Sequence, residues 1–285
     1  MCIRDSMMPG LHVYSWMFKW MLIVMLFVTF LGIRFKRMKP ERAHWLLTGA
    51  NLMVALAAWG VCRLVFGDGY LAQAAFFVGI MPTATAAPVV MGLLGGSVEF
   101  MLTALLLING IICALLPFIL PAVVGRGGFE IYLNVAQNIS LVMLLPLALA
   151  LAARRFYPRA IAWPRKLKDV TFGIWVVILV LIAANASYDI SSREGISERV
   201  LEQIGVIALL VCGVNFGLGY LLGGRTRAAE CSQALGQKNT TLSIYLALTY
   251  ASPIAALGPT FYVLWHNLWN AWQLYRASER KRRDG

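Results

Sequence analysis

Apolar runs of roughly membrane-crossing length follow one another along nearly the whole chain, separated by short polar stretches. A hydrocarbon core of about 30 Å needs about 20 predominantly apolar residues per helix. On that measure the pattern predicts nine transmembrane helices. They cover about Tyr14 to Ile33, Ala43 to Phe66, Tyr70 to Leu94, Val98 to Val124 and Ile131 to Ala153. The remaining four cover about Val170 to Ser187, Val200 to Leu222, Ala228 to Tyr250 and Pro253 to Tyr275. The expected fold is an all-α polytopic membrane protein with no room for a soluble domain.

Two of these runs are interrupted by polar or helix-breaking residues. The third contains Met81-Pro82-Thr83-Ala84-Thr85-Ala86-Ala87-Pro88. Each proline removes a backbone donor and clashes with the preceding turn. The eighth contains Gly236-Gln237-Lys238-Asn239-Thr240-Thr241. An ionised side chain at the middle of a membrane helix costs about 2.5–3.5 kcal/mol on insertion scales. Backbone groups freed at such a break are tolerated at membrane depth only inside protein or against a watery cavity. Pro82, Pro88 and Gly236 are therefore the expected helix breaks. Lys238 is expected near the bilayer midplane as half of a binding site. The alternatives are a lysine that snorkels to the interface and, for the third helix, a simple proline kink.

The placing of the interruptions suggests a repeat. Each interrupted helix is followed by one further helix before its half of the chain ends. Matching interrupted segments in two halves mark the inverted repeats of secondary transporters. The halves are residues 14–124, with four helices, and 131–275, with five; a basic tail follows at 276–285. A five-helix unit ends on the side opposite its start, so a second copy is inverted. The first repeat is then expected to lack its opening helix, either naturally or because the chain is cut short. Met1–Ser6 within the N-terminal tail 1–13 has no membrane logic; it reads as a cloning or assembly remnant, with Met7 as a plausible natural start.

Composition sharpens the class. Of 285 residues, 60% are hydrophobic and 13% charged, and the mean hydropathy is +0.72. Soluble domains carry about 25% charged residues. The net charge of +12 does not point to nucleic acid, because the basic residues lie in short loops. Heavy clusters fall on alternate loops: Arg34, Lys36, Arg37, Lys39 and Arg42, then Arg154, Arg155, Arg159, Arg165, Lys166 and Lys168, then Arg225 and Arg227, then the tail from Arg276. The positive-inside rule then puts the N-terminus outside and the C-terminus in the cytoplasm, in a cell (inner) membrane. The five cysteines are dispersed without a C-x-x-C, and the three histidines make no metal-spaced pair. No disulfide, zinc site or cofactor is implied.

At this level of detail the chain resembles the bile acid:sodium symporter family over nearly its full length, short of that family's first helix. The resemblance rests on Met25-Leu26-Phe27 through Gly32, Ala58-Trp59, Asn215 through Gly219-Tyr220-Leu221-Leu222-Gly223, and Trp265-His266-Asn267. It implies two inverted five-helix repeats arranged as a core domain beside a panel domain. Helices three and eight would cross at the middle of the core. It also implies alternating-access transport of an organic anion, often with sodium. The family's second crossing helix carries Glu-x-Gly-x-Gln-Asn, whose oxygens hold sodium. Here that stretch reads Ala234-Leu235-Gly236-Gln237-Lys238-Asn239, and the Ser-Asn pair expected near Pro88-Val89 is absent. Lost ligands at Ala234, Lys238, Pro88 and Val89, with a cation gained at Lys238, work against sodium.

These residues suggest that the Lys238 ammonium stands where sodium would bind and balances an anionic substrate. Asn239, Gln237, Thr83 and Thr85 would supply hydrogen bonds. A lysine held away from water is able to give up its proton in each cycle, which leaves proton-linked and ion-independent transport both open. Asn51 is a further candidate, because in the resembling family an amide near this point assists the ion site. Asn109, His266, Asn267 and Glu99 are weighed against blander roles: interhelical hydrogen bonds, a neutral core histidine and a solvated helix-start carboxylate. Glu230 is expected to be solvated, two turns from Lys238. No nucleophile–base pair or carboxylate dyad lies in the apolar runs, so an enzyme is not expected. The expected function is weakly sodium-dependent or sodium-independent transport of a small organic anion. The alternative is a non-transporting membrane binding protein or sensor on the same fold.

Overall fold

The computed structural model describes residues 17–32, 38–67, 69–125, 127–167 and 198–284, with parts of 169–181. The N-terminal segment 1–16, Arg34, Lys36, Arg37, Arg126, Lys168, much of the expected sixth helix and the loop after it lie outside the described residues.

Among the described residues the fold is helical. In chain order the helices are α1 (Met17–Leu31), α2 (Arg42–Phe66), α3 (Tyr70–Ile80), α4 (Ala87–Leu93), α5 (Val98–Val124) and α6 (Phe129–Phe156). They continue with the short α7 (Trp163–Lys166), then α8 (Glu198–Gly236), α9 (Thr240–Tyr250) and α10 (Pro253–Asp284). Four of them, α2, α5, α6 and α8, are long and apolar enough to cross a membrane. The protein is a helical membrane protein.

Local chemistry sets several helix ends. Ser97 opens α5, its hydroxyl accepting from the Phe100 N–H at 3.2 Å; such a cap satisfies one of the donors that a helix start leaves orphaned. Gly125 closes α5 at φ +73°, a left-handed conformation that glycine adopts without a Cβ clash. Pro117 and Pro121 lie inside α5 and Pro146 inside α6.

Two boundaries differ from the hydropathy pattern, and a third agrees with it. The third run is two helices, α3 and α4, separated by residues 81–86. Pro88 does not break a helix there; it sits in the first turn of α4, where its missing N–H would lack an intrahelical partner anyway. As the pattern predicts, the seventh and eighth runs are separate helical segments: within α8 the chain turns back at Gly224 (φ 57°, ψ −146°) and Arg227 (φ −128°, ψ 18°). A Cβ on Gly219 would therefore collide with the Cys231 and Ser232 backbone, and the Ser232 hydroxyl donates to the Phe216 carbonyl at 2.8 Å. The basic stretch after Tyr275 is not a separate tail, because α10 continues to Asp284.

The helices sort into two packing groups. In the larger, α2 packs on α3 and α8, α10 packs on α3, α8 and α9, and α5 packs on α2 and α4. In the smaller, α1 packs on α6 and α7. The groups meet through α5 with α6 and through α1 with α9. Within the larger group α3 lies so close to α2 that a Cβ on Gly79 would collide with the Ala55 backbone. Small residues permit such approach in membranes, where packing replaces the hydrophobic driving force.

Candidate functional site

The breaks in α3–α4 and α8–α9 meet inside the larger group. Their backbones pair like a fragment of antiparallel ladder: the Ala84 N–H donates to the Gln237 carbonyl at 2.8 Å, and the Asn239 N–H to the Pro82 carbonyl at 2.8 Å. Thr83 and Lys238 form an isolated bridge at this point. Each break leaves backbone groups that its own helix no longer serves, and the partner break supplies what is missing. Pro82, which has no donor, uses its carbonyl.

Behind this crossing, side chains cap the carbonyl ends of the two half-helices. The Lys238 ammonium donates to Asn51 Oδ1 and to the Gly79 carbonyl, the latter at 3.3 Å. Asn51 in turn donates to the Ile80 carbonyl at 3.2 Å. The ammonium therefore sits at the C-terminal, negative end of α3, where the helix dipole favours a cation. It reaches α2 and α3 together because Gly79 lets them touch. Lys238 is 1% exposed and Asn51 also 1%, so the amine does not snorkel. The Thr83 hydroxyl donates to the Ala234 carbonyl at 2.7 Å. The Tyr262 hydroxyl donates to the Gly236 carbonyl at 2.7 Å and accepts from Asn215 Nδ2 at 3.3 Å.

In front of the crossing lies a cavity of about 890 Å³. Its polar wall includes Thr85, Gln237, Lys238, Asn239, Thr240, Thr241, His266 and Asn267, and its apolar wall includes Leu22, Met25, Leu26, Val89, Leu102 and Leu105. It extends to Gly32, Gly92 and Pro164 at helix ends. Both packing groups contribute to it. Asn239 caps α9, its Oδ1 accepting from the Leu242 N–H at 3.2 Å. Asn239 Nδ2, Gln237 Oε1 and His266 Nδ1 are buried without a hydrogen-bond partner. Three such atoms around one cavity are an unmet demand, since buried polar groups are nearly always paired with protein, water or ligand. Asn267 donates to the Val263 carbonyl at 2.8 Å.

Some candidates stand elsewhere. Thr83 is behind the crossing and does not line the cavity, its hydroxyl being engaged with Ala234. Lys238 does line the cavity, but its ammonium is held in the α2–α3 seam by Asn51 and the Gly79 carbonyl. Asn109 is buried in α5 with both side-chain polar atoms unpartnered, away from the cavity wall. Glu99 is exposed in the first turn of α5. Glu230 is buried rather than solvated: Ser97 N–H donates to its Oε1 at 3.2 Å and Arg227 approaches it at 3.5 Å. Arg227 also pairs with Glu41 at 2.9 Å and lies over the Phe100 ring. His44 stacks on that same ring, accepting from the Glu41 N–H at 2.8 Å through Nδ1 and facing the Phe100 carbonyl at 3.1 Å through Nε2.

The donor set does not fit sodium. Where the resembling family has a carboxylate, Ala234 has only a methyl group. Asn51 Oδ1 and the Gly79 carbonyl both receive the Lys238 ammonium. A second cation there would meet a like charge at contact distance. Among the described residues no group of three His, Cys, Asp or Glu is placed to hold a metal ion.

Sequence reasoning missed Tyr262 and Asn215. Tyr262 carried a usable signal, a phenol one helical turn before His266 in an apolar run. Asn215 opens one of the stretches that carry the resemblance, but nothing in the sequence pairs it with Tyr262. Searched against models of known protein families the chain matches none, and the comparison with curated proteins likewise finds no match.

Proposed function

We propose that the protein is a secondary transporter for a small organic anion, working by alternating access and without a sodium ion. The observation that carries this reading is the cavity wall where Asn239 Nδ2, Gln237 Oε1 and His266 Nδ1 lie buried and unpartnered beside the crossing of two broken helices. In transporters such half-helix ends serve as substrate sites, the positive N-termini facing anionic groups. Here α9 starts at Thr240, next to Asn239, and the Lys238 charge lies one residue further back. An anionic head would bond to Asn239 and the threonines at the start of α9. The walls from Leu22, Met25, Leu26, Leu102 and Leu105 suit an apolar body. Ligand pockets of about 300–1,000 Å³ accept drug-sized molecules. The substrate class is therefore an amphipathic anion rather than an inorganic one.

In this reading Lys238 is a tethered cation. A bound sodium leaves in each cycle and couples transport to its gradient; a side chain cannot leave. The fixed charge offsets the substrate's charge in every turnover, so the sodium gradient has no role. The two packing groups are the bodies that move against each other, in the sense of core and panel. The nine-helix inverted repeat, the cell-membrane location and the cytoplasmic C-terminus belong to the same reading.

Counterflow tests it. Purified protein in liposomes preloaded with an unlabelled amphipathic carboxylate or sulfonate is expected to accumulate the labelled form transiently. Saturable binding without exchange across a panel of such anions would instead make the protein a binder or sensor.

A further inference from the structure

The large cavity runs from the crossing towards Gly32, Gly92 and Pro164, at the end of the bundle where the basic loops and the Arg-rich end of α10 lie. At the other end of the bundle the two packing groups are joined by hydrogen bonds. The Tyr250 hydroxyl, at the end of α9 in the larger packing group, meets Asn134 on α6 in the smaller one. It lies 3.3 Å from Asn134 Oδ1 and 3.4 Å from the Asn134 carbonyl, which both accept. One turn along α6, Asn138 Nδ2 donates to the same two oxygens at 2.9 and 3.1 Å. Asn138 Oδ1 accepts from the Lys19 ammonium of α1 at 2.9 Å.

This is a relay with a direction. A cation can only donate, so Lys19 fixes the Asn138 amide with its oxygen towards α1 and its nitrogen towards Asn134. Asn134 Oδ1 is then held as an acceptor facing Tyr250. The relay also accounts for an ionised side chain at the start of an otherwise apolar α1. Directly beside Tyr250 is a second, smaller cavity of about 340 Å³, lined by Leu120, Val124, Glu130, Asn134, Thr249 and Tyr250. It lies between α5, α6 and α9, along the seam that would part if the groups separated at this end.

We infer that Tyr250, Asn134, Asn138 and Lys19 form the outer closure of the transport path, a hydrogen-bonded latch between the packing groups that must open for the crossing to face the other side. The small cavity is the start of the path that opens with it. This inference rests on the transport reading, but its test needs no substrate.

The reporter is Thr241→Cys, in the large cavity, in the full-length protein with its five native cysteines replaced by alanine and reconstituted in liposomes. Protease access to the Arg-rich end of α10 assigns sidedness. The rate of labelling by a membrane-impermeant maleimide is measured separately from each face. Tyr250→Phe keeps the ring and removes the donor; Lys19→Met removes the fixed amine. Each is expected to raise labelling from the face opposite the Arg-rich end roughly three- to tenfold and lower it from the Arg-rich face, as the loss of one or two hydrogen bonds should do to a two-state balance. Thr260→Val, which removes a bond to the Ala256 carbonyl within α10 and lines neither cavity, is expected to leave both rates unchanged.

A rise from both faces would mean simple loosening and would overturn the latch, as would no change in Tyr250→Phe or an equal shift in Thr260→Val. Opposed changes, with no anion exchange by the unaltered protein that keeps Thr241, would leave the closure standing and remove the transport reading. Exchange without opposed changes would remove the closure alone.

Discussion

The two sides of the helix crossing treat their polar groups in opposite ways. Behind it, Lys238, Asn51, Thr83 and Tyr262 engage the carbonyls of Gly79, Ile80, Ala234 and Gly236. In front of it, Gln237, Asn239 and His266 each present a buried polar atom with no partner. Both sides are drawn from the same two breaks, and Gln237, Lys238 and Asn239 are consecutive. A satisfied polar cluster holds a structure in place, and an unsatisfied one favours whatever completes it. The rear is not fully satisfied, since Asn215 Oδ1 beside Tyr262 is also buried without a partner. Its carbonyl ends are capped, however, so the rear face is built mainly to persist and the front face to bind.

The largest effect should come from the rear. Lys238→Met leaves Asn51 Oδ1 and the Gly79 carbonyl buried without the donor they share. A cost of about 3 kcal/mol is expected, read as a fall in thermal midpoint in detergent, together with loss of anion exchange. Lys238→Gln keeps a donor but removes the charge, so folding should survive while exchange is lost. That split separates the structural from the electrostatic role of the amine.

Next in size is a change confined to the front. Asn239→Asp retains the cap oxygen on the Leu242 N–H, since aspartate caps as well as asparagine, but places a carboxylate where an anion is to bind. Binding measured by calorimetry should weaken about 100-fold or more, as expected for like charges brought into contact, while the thermal midpoint hardly moves. If the midpoint falls and affinity does not, the front and rear have been assigned the wrong way round.

Smaller again is Tyr262→Phe. It removes the bond to the Gly236 carbonyl at the rear for about 1–1.5 kcal/mol, visible in thermal melts, with anion affinity retained. The least effect should come from Arg227→Lys at the α8 kink. Its partner Glu41 is partly exposed, such pairs contribute about 0–1 kcal/mol, and lysine loses the two-pronged geometry that arginine offers a carboxylate. A melt shift of a degree or two, without change in binding, is the expected result.

Much of this arrangement can be read without coordinates, for identifiable reasons. Uniform apolar runs place α2, α5 and α6 within three residues of their ends, because length in a bilayer is a one-dimensional constraint. The breaks at residues 81–86 and 237–239 are equally visible, since proline and a polar run betray freed backbone. What escapes is direction. A lysine between a glutamine and an asparagine looks like a third member of the same polar face, yet successive residues at a break point to opposite sides. Thr83 and Thr85 look interchangeable for the same reason, and only Thr85 lines the cavity. The Arg227–Glu41 pair joins residues 186 apart in sequence, with no local pattern to announce it. The turn at Gly224 to Arg227, by contrast, is legible, because a glycine followed by arginines marks a helix end, and the chain does reverse there to pack Gly219 on Cys231.

The central claim is that a covalently attached charge stands in for a dissociable ion. Its most direct test is uptake of a labelled amphipathic anion into liposomes containing the unaltered protein, with sodium outside and then with sodium fully replaced by choline. Equal initial rates and equal final accumulation are expected. Uptake that rises with an inward sodium gradient, or that stops in choline, would contradict the account.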